Sequence, residues 1–301
     1  MLDIAIIGGG PAGLSAGLYA ARGGANVTLF EELFSGGQAT KTSRIDNYPG
    51  FPEGIEGFSL GMQLEQQATK FGLQIENVTV ESLELAGNPK KIVLSDRTVE
   101  AKAVILTMGA TPRKLGVDRE EALTGTGVSY CATCDGAFFK GQDVAVIGGG
   151  DTALADALYL TRFCNHVYVV HRRDALRATA TLQNSATADD KIEFIWNSTV
   201  KSLEGDPKLT GATLVDKVTG KERQIAVSGL FVAVGIEPRT ALVKDQLSLS
   251  RNGSILTDAR MATNLPGVFA AGDVRDTVLR QVVTACADGA IAATGALEYL
   301  I

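Results

Sequence analysis

Short apolar runs that end in glycine clusters form the clearest pattern along this chain. Ile4–Ile7 and Val144–Ile147 are apolar throughout, which is typical of strands buried on both faces of a parallel sheet. Each run is followed by a glycine turn and then by an Ala- and Leu-rich segment, Leu14–Arg22 or Leu154–Arg162, that reads as a helix. Because a second apolar run closes each unit, the pattern predicts two strand–turn–helix–strand units and an α/β fold.

The first glycine turn matches a dinucleotide fingerprint. It reads GGGPAG from Gly8 to Gly13, and Glu31 follows the next predicted strand, Val27–Phe30. Glycines at this spacing let the backbone approach a pyrophosphate at a helix N-terminus, and the acid accepts hydrogen bonds from ribose hydroxyls. We therefore expect six residues to bind the first nucleotide: Gly8, Gly10, Pro11, Ala12, Gly13 and Glu31.

The second glycine turn lies in the same order of strand, turn, helix and strand, but different residues follow its last strand. Strand His166–Val170 is followed by His171-Arg172-Arg173 and then by Arg177, with no acid at the strand end. Guanidinium groups bind a ribose 2′-phosphate that a carboxylate would repel, so this ending predicts NADPH; a solvated basic face is the alternative for one arginine. The expected contacts are Gly148, Gly150, Asp151, Thr152, His171, Arg172, Arg173 and Arg177.

Two features near the C-terminus favour FAD over NAD in the first unit. Gly267–Val274 reads as a buried strand ending in Gly272-Asp273, where a carboxylate can accept hydrogen bonds from a ribityl chain, although a turn aspartate is the alternative. A long apolar helix is predicted over Arg280–Leu300. Its first residues, Arg280, Gln281 and Val282, would offer amides to an anionic flavin edge.

Two similar segments predict where the chain crosses between domains. Ala103–Leu115 and Gly229–Leu242 each contain an apolar run, a glycine and a Pro-Arg pair. We expect two Rossmann-like, three-layer domains: an FAD domain of residues 1–114 and 243–301, and an inserted NADPH domain of residues 115–242. Gly109 and Ala110, in the first crossing, are added to the expected cofactor contacts.

Composition excludes several classes of function. The chain has 301 residues, of which 45% are hydrophobic, and its net charge of -6 argues against a nucleic-acid surface. The N-terminus reads as a buried strand rather than a signal peptide, and no apolar run reaches the ~18 residues that span a bilayer. We therefore expect a cytoplasmic protein with neither a nucleic-acid nor a membrane partner.

A close cysteine pair offers redox chemistry. Cys131 and Cys134 are separated by two residues, and Asp135 follows at once. A zinc site would need more ligands, and Cys164 and Cys286 are better interpreted as small buried hydrophobes. A static disulfide closing so small a loop would add little stability. A redox-active pair is therefore favoured, with Asp135 as acid and base or, alternatively, as an ordinary turn residue.

The sequence resembles the low-molecular-weight, bacterial-type thioredoxin reductases over nearly its whole length. The shared motifs are GGGPAG, GGQ, IDNYPG, CATCDG, GGGDTA, HRRDALRA, GLFVAVG, GVFAAGDV and RQVVTA. The resemblance implies a homodimer that passes hydride from NADPH to FAD, and then electrons to the Cys131–Cys134 disulfide and to thioredoxin. It also implies that Cys134 lies against the flavin, that Asp135 is the acid–base catalyst, and that the domains rotate about the crossings.

The resemblance assigns further contacts and shows some departures. It implies flavin contacts at Glu31, Gly37, Gln38, Asn47, Asp273 and Gln281, and NADPH contacts at Arg172, Arg173 and Arg177. The departures are Met108 for threonine, Thr126 for a basic residue, and Ala155-Asp156 for two glutamates. None removes a catalytic group, but Thr126 leaves thioredoxin docking less defined. Phe138 and Phe139 are interpreted either as docking residues or as core.

Rival functions share parts of this pattern. A dithiol oxidase or a ferredoxin-fed reductase would also combine a flavin with a CxxC pair, but such relatives usually lack the arginine cluster. A non-catalytic nucleotide-binding redox sensor would not need CxxC-Asp beside two intact glycine turns.

Overall fold

The computed structural model describes residues 1–42 and 44–301. The chain folds into two compact units, the first formed by Met1–Thr111 and Glu237–Ile301 and the second by Pro112–Ile236. Near the crossings, the amide of Arg239 donates to the Gly109 carbonyl at 3.0 Å in the first unit, and the amide of Arg113 donates to the Gly235 carbonyl at 3.0 Å in the second. The two Pro-Arg segments of the sequence therefore end in short paired strands rather than in open loops.

The described residues form seventeen strands and six α-helices. The strands are β1 (Leu2–Ile7), β2 (Val27–Glu31), β3 (Gln74–Asn77), β4 (Val80–Glu84), β5 (Lys90–Leu94), β6 (Thr98–Leu106), β7 (Ala110–Pro112), β8 (Val128–Ser129), β9 (Asp143–Ile147), β10 (His166–Val170), β11 (Ile192–Ile195), β12 (Ser198–Glu204), β13 (Gly211–Asp216), β14 (Glu222–Ile225), β15 (Gly229–Val232), β16 (Ile236–Pro238) and β17 (Val268–Ala270). The helices are α1 (Pro11–Arg22), α2 (Gly57–Lys70), α3 (Ala132–Asp135), α4 (Asp151–Leu160), α5 (Ala180–Thr187) and α6 (Val282–Tyr299). Short 3₁₀ helices span Gly37–Lys41, Gly136–Phe139 and Gly272–Val274.

The first unit is built on a seven-stranded sheet in the order β3-β2-β1-β6-β5-β4, with β17 also paired to β6. Strands β1, β2, β3, β6 and β17 run parallel, whereas β4 and β5 extend the sheet in antiparallel fashion. The register pairs Ile7 with Phe30. The next residues, Gly8 after β1 and Glu31 at the end of β2, are therefore neighbours at the carboxyl edge of the sheet, where parallel sheets bind ligands.

Helices α1 and α6 cover one face of this sheet. They approach closely because Gly289 has no side chain: a Cβ there would lie 2.1 Å from the Ala12 carbonyl oxygen. Strand residues such as Ile4 and Ile6 are fully buried beneath these helices. The other face packs against a second apolar cluster that includes residues of β4, β5 and the returning chain near Val243.

The second unit contains a five-stranded parallel sheet in the order β11-β10-β9-β15-β8. Helix α4 and the short helix α3 contribute Leu154, Leu160 and Ala132 to the apolar cluster on one face. A three-stranded antiparallel sheet, β12-β13-β14, contributes Leu203 and Leu214 to the cluster on the other face. The predicted α/β class with parallel sheets is thus confirmed, whereas the antiparallel layers were not predicted.

Helix starts differ from the sequence prediction. Helices α1 and α4 begin at Pro11 and Asp151, inside the glycine turns, rather than at Leu14 and Leu154. Proline at the first helical position explains the early start of α1, because its fixed φ suits a helix and its missing N–H would have no partner there. Helix α6 begins only at Val282. No helix within the described ranges combines the length and apolarity needed to cross a membrane.

Candidate nucleotide and redox sites

The first glycine turn joins β1 to α1 and leaves open space at one position. Gly8 has φ 106°, and a Cβ there would lie 2.6 Å from the Thr107 carbonyl oxygen. A Cβ on Gly13 would lie 2.0 Å from the Gly8 carbonyl oxygen, so both positions need glycine. Around Gly10, by contrast, nothing lies within 4 Å of a Cβ position. Gly10 is the N-cap of α1, so a pyrophosphate could approach the helix N-terminus there.

Glu31 is held in place by backbone amides. Gly9 donates to its Oε2 at 2.7 Å, and Leu33 donates to its Oε1 at 3.3 Å. Each carboxylate oxygen keeps a further lone pair for a hydroxyl donor. Gly37 lies beside the turn, since a Cβ on it would be 3.0 Å from the Gly10 Cα atom. Gln38 follows Gly37 and is exposed.

The loop after β17 approaches the same turn. Gly272 has φ 74°, and a Cβ on it would lie 2.9 Å from the Ala12 Cβ. Its amide donates to Asp288 Oδ2 at 3.2 Å, and Arg275 Nε lies 3.5 Å from that oxygen. Asp288 thus anchors this loop to α6, a role that sequence reasoning missed.

Asp273, next to Gly272, and Arg280 have side-chain polar atoms without a hydrogen-bond partner among the described residues. Asp273 is half-buried, and none of the described residues donates a hydrogen bond to its side chain. Burial raises the pKa of Asp273, Arg280 lowers it, and Asp288 raises it. Arg280 donates from Nη1 to the Thr277 carbonyl at 3.3 Å, while its Nε and Nη2 are buried without a hydrogen-bond partner in the described part of the chain.

Gln281 is the N-cap of α6. Its amide donates to Thr284 Oγ1 at 3.1 Å, and its Oε1 accepts from Asn47 Nδ2 at 2.9 Å. Two expected flavin contacts are therefore brought together although they lie far apart in sequence. Gly109 has φ 70°, and open space surrounds its Cβ position. Ala110 beside it is buried.

The second glycine turn repeats these features in the second unit. A Cβ on Gly148 would lie 2.5 Å from the Ala233 carbonyl oxygen, while nothing lies within 4 Å of that position on Gly150, the N-cap of α4. Asp151 accepts the Thr179 amide at 2.7 Å, which ties the start of α4 to the chain after the arginines. Thr152 is exposed in the first turn of α4.

His171 takes the place in the second unit that Glu31 takes in the first. The register pairs Ile147 with Val170, so His171 follows β10 beside the turn, and a Cβ on Gly149 would lie 2.3 Å from its Nδ1. His171 is 4% exposed, and its Nε2 is buried without a hydrogen-bond partner among the described residues. Burial lowers the pKa of His171, a hydrogen bond with the Ala175 backbone raises it, and the nearby arginines lower it; because the net shift is downward, the neutral imidazole prevails at pH 7.

The arginines after His171 are available to an anion. Arg172, Arg173 and Arg177 are exposed, and none forms an ion pair with a carboxylate in the described ranges. The amide of Arg177 donates to the Gly149 carbonyl at 2.7 Å, which holds the arginine segment against the glycine turn.

Cys131 and Cys134 form a disulfide within the second unit. Cys131 is the N-cap of α3, and its carbonyl accepts the amides of Cys134 at 3.2 Å and Asp135 at 3.1 Å. Both cysteines are half-buried. The chain after them packs tightly, because a Cβ on Gly136 would lie 2.8 Å from Leu160 Cδ2. The pair is thus held at the start of a helix that is anchored on α4.

Asp135 is half-buried and accepts a hydrogen bond from Ser129 Oγ at 2.6 Å on its Oδ2. Burial raises the pKa of Asp135, and the Ser129 hydrogen bond lowers it. Sequence reasoning missed Ser129, which is 4% exposed. The available signal was a hydroxyl residue two positions before the first cysteine of the motif.

Phe138 and Phe139, the two candidates for docking thioredoxin, differ in exposure. Phe138 is 50% exposed, whereas Phe139 packs against Phe231 with ring centroids 5.5 Å apart. Phe139 is therefore a core residue. Cys164 is buried, as expected, and Cys286 is half-buried, with Sγ donating to the Pro11 carbonyl at 3.7 Å.

Comparisons with known proteins agree with this arrangement. The family model "Pyridine nucleotide-disulphide oxidoreductase" matches residues 2–289. The thioredoxin reductase of Streptomyces clavuligerus is 49% identical over 301 residues, which cover 99% of this chain and 94% of that protein. The thioredoxin reductase of Mycolicibacterium smegmatis is 46% identical over 299 residues, which cover 99% of this chain and 96% of that protein.

A solved structure is similar over the full chain. The crystal structure of thioredoxin reductase from Streptococcus pyogenes MGAS5005 has a TM-score of 0.94 and 46% identity, and the match covers 100% of this chain and 98% of that chain. These matches confirm the resemblance inferred from the motifs, and they imply an oxidoreductase that uses a flavin and a pyridine nucleotide. The chain belongs to the pyridine nucleotide-disulphide oxidoreductases and, among them, to the thioredoxin reductase family.

Proposed function

We propose that this chain is an NADPH-dependent thioredoxin-disulfide reductase that uses FAD. The observation that carries the proposal is the Cys131–Cys134 disulfide with Asp135 beside it, in the same compact unit as an arginine segment that forms no ion pair with the described residues. The disulfide supplies the redox group, and the arginines supply the preference for a 2′-phosphate. The names of the relatives support thioredoxin as the substrate.

The first unit would hold FAD. The open space at Gly10 suits a pyrophosphate, Glu31 suits the ribose hydroxyls, and Asp273 suits a ribityl hydroxyl. The unpaired N–H groups of Arg280 suit an oxygen-rich ligand. The other proposed contacts are Gly8, Pro11, Ala12, Gly13, Gly37, Gln38, Asn47, Gly109, Ala110, Gly272, Gln281 and Val282. When bound, the flavin would carry two electrons from the pyridine nucleotide to the disulfide.

The second unit would hold NADPH. Neutral His171 stands where the first unit has a carboxylate, so no negative charge at the strand end repels a 2′-phosphate. Arg172, Arg173 and Arg177 have guanidinium groups free of ion pairs among the described residues. The proposed contacts to the pyrophosphate lie at Gly148, Gly150, Asp151 and Thr152.

The cysteine pair and Asp135 would then move electrons and protons to the substrate. Two electrons break the Cys131–Cys134 bond and leave two thiolates, and Asp135 can deliver a proton to one of them because burial raises its pKa. Asp135 takes the proton back as a thiolate attacks the disulfide of thioredoxin. The thiolate of the second cysteine resolves the mixed disulfide, which restores the Cys131–Cys134 bond and expels the second thioredoxin thiolate. The two thioredoxin thiolates take up one proton from Asp135 and one from solvent, so thioredoxin leaves as a dithiol.

The cellular location and the oligomeric state are proposed from the family resemblance alone. We propose a cytoplasmic homodimer in which Phe138, exposed near the cysteine pair, contacts thioredoxin. The ferredoxin-fed alternative is disfavoured because it gives the unpaired arginines no role.

Anaerobic titration tests the proposal. NADPH is added to the purified flavin-containing protein, and oxidised thioredoxin is added afterwards. The flavin absorbance should bleach with NADPH and return with thioredoxin, while NADH should act far more slowly. Equal reduction by NADH would show that the arginine interpretation is wrong, and a reduced flavin that thioredoxin cannot reoxidise would exclude thioredoxin as the substrate.

A further inference from the structure

The hydroxyl of Ser129 lies between Asp135 and the backbone of Cys131. Ser129 Oγ is 2.6 Å from Asp135 Oδ2 and 3.3 Å from the Cys131 carbonyl oxygen, and it accepts the Cys131 amide at 3.0 Å. The hydroxyl has one proton and two acceptors within reach, so it can donate to only one of them at a time. A separation of 2.6 Å suits two arrangements: an ionised Asp135 accepts from the serine O–H, and a protonated Asp135 donates to Ser129 Oγ.

We propose that Ser129 is a positioning residue of the redox pair, whose hydroxyl holds Asp135 as a carboxylate and turns to the Cys131 carbonyl when Asp135 takes up a proton. The proton balance is simple, since Ser129 keeps its own proton throughout. A protonated Asp135 can donate to a lone pair on Ser129 Oγ, while the serine O–H turns to the carbonyl. This inference rests on the function proposed above.

The fold fixes the position of this hydroxyl. Ser129 ends β8, where the register pairs it with Phe231 of β15, and its side chain is buried. The neighbouring Tyr130 is anchored separately, because its hydroxyl donates to the buried carboxylate of Glu120 at 2.8 Å. The backbone that enters Cys131 is thus held on two sides, and Ser129 need not move when the disulfide opens.

No charged side chain among the described residues shifts the pKa of Asp135. Helix α3 packs against α4, which carries Asp151 and Asp156, and against the 3₁₀ helix that precedes Lys140. Burial and the Ser129 hydrogen bond are the two influences on the pKa of Asp135 among the described residues. Asp156 has its pKa raised to about 6 by burial, without a contribution from Asp135.

The proposal predicts a direction for the pH dependence. Asp135 must be ionised to accept the proton when the reduced pair attacks thioredoxin, so activity falls as pH drops through its pKa. The Ser129 hydrogen bond favours the ionised form and lowers this pKa. Removing the hydroxyl should therefore raise the pKa and move the acid limb of the pH profile to higher pH. In the reduced enzyme, Cys131 and Cys134 are thiols close to Asp135 in sequence, so the measured acid limb belongs to the cluster rather than to Asp135 alone.

The test compares four variants in the holoenzyme. S129A removes the hydroxyl, and S129T and S129V form an isosteric pair that differs in the hydroxyl alone. S198A is the control, since Ser198 is similarly buried in the same unit but donates to the Trp196 carbonyl at 2.7 Å. Thioredoxin reduction is measured from about pH 5 to pH 9. S129A and S129V should shift the acid limb upward by about one pH unit, with up to about tenfold lower activity there.

S129T and S198A should keep the wild-type limb even if their overall rate or thermal stability falls. An unshifted limb in both S129A and S129V, or an equal shift in S198A, would overturn the proposal. The isosteric pair decides the matter if S129A does not fold. Failure of the proposed function is distinguishable, because the wild type would then not reduce thioredoxin at any pH, whereas failure of this inference leaves wild-type turnover intact.

Discussion

Arg280 keeps two guanidinium nitrogens buried without a hydrogen-bond partner in the described ranges. An unpaired buried donor costs about 1–3 kcal/mol, and more when it is charged. The fold nevertheless holds this side chain near Asp273, whose pKa Arg280 lowers. Such an arrangement persists when a ligand completes the missing hydrogen bonds. In the proposed enzyme, FAD would be that ligand.

Replacing Arg280 by methionine should have opposite effects on FAD binding and on the stability of the FAD-free protein. In R280M, FAD binding should weaken by about tenfold or more, equal to about 1.4 kcal/mol, because a charged donor is lost. The FAD-free protein should be as stable as the wild type or more stable, because the unpaired buried groups are gone. Thermal unfolding with and without added FAD measures both effects.

Arg275 provides the matched control for this prediction. It pairs with Asp288 at 3.5 Å, so R275M should destabilise the protein in the presence and in the absence of FAD. If R280M lost stability in the FAD-free state as R275M does, Arg280 would be a structural residue rather than a ligand contact.

At the residue scale, the sequence predicts contacts that belong to a local motif and misses those made across long separations. The glycines at 8 and 13 could be assigned because their spacing repeats a known turn, and the structure shows why their side chains must be absent. Asp288 and Gly289 could not be assigned from an Ala-rich helix that has no local signature. Their partners, Gly272 and Ala12, are identified only once α6 is packed on the sheet.

At the scale of elements, two equivalent strand ends carry opposite chemistry. Strand β2 ends in Glu31, and β10 is followed by neutral His171 and by exposed arginines. Backbone hydrogen bonds connect the arginine segment to the turn after β11. The amide of His171 donates to the Ile195 carbonyl at 2.9 Å, and the amide of Asn197 donates to the Arg173 carbonyl at 3.2 Å. Anion binding at the arginines should therefore change the conformation or the environment of that turn.

The turn contains Trp196, the one tryptophan of the chain, which makes this prediction measurable. Adding 2′,5′-ADP to the wild-type protein should change the Trp196 fluorescence. Alanine variants of Arg172, Arg173 and Arg177 should weaken that response and raise the KM for NADPH, by about tenfold for each arginine that contacts the phosphate. The rate with NADH should change little.

Arg162 supplies the control for the arginine prediction. It is exposed in the same unit and lies over the Tyr159 ring, 5.7 Å from its centroid, outside the arginine segment. R162A should leave the NADPH response intact. Equal loss of NADPH and NADH activity in the arginine-segment variants would mean that these residues support the fold and do not select the 2′-phosphate.

Elements buried on both faces were the most predictable ones. The apolar runs of β1 and β9 are almost fully buried, as their sequences indicated. The antiparallel strands were missed because their faces differ in exposure; β4, for example, reads VESLE and has one buried residue. Helix α6 was predicted two residues too early, because nothing in the sequence showed that Gln281 caps it from outside.

At the scale of the whole molecule, each proposed cofactor site is built within one compact unit. The contacts of the first glycine turn, with Glu31 and Gly272, all lie in the first unit. The contacts of the second turn, with His171 and Arg177, all lie in the second. We therefore expect damage to one site to leave binding at the other intact, although turnover needs both.

Gly10 and Gly150 allow a symmetrical test of this independence. Both are N-caps with extended backbone conformations that alanine can adopt, and nothing lies within 4 Å of a Cβ at either position. A methyl group there should not disturb the fold but should occupy the space proposed for a pyrophosphate. G10A should lower the affinity for FAD by about tenfold or more and keep the Trp196 response to 2′,5′-ADP. G150A should weaken the Trp196 response and leave the affinity for FAD unchanged. Loss of both ligands in either variant would mean that the two sites depend on each other, and undiminished binding in both would exclude the glycine turns as phosphate sites.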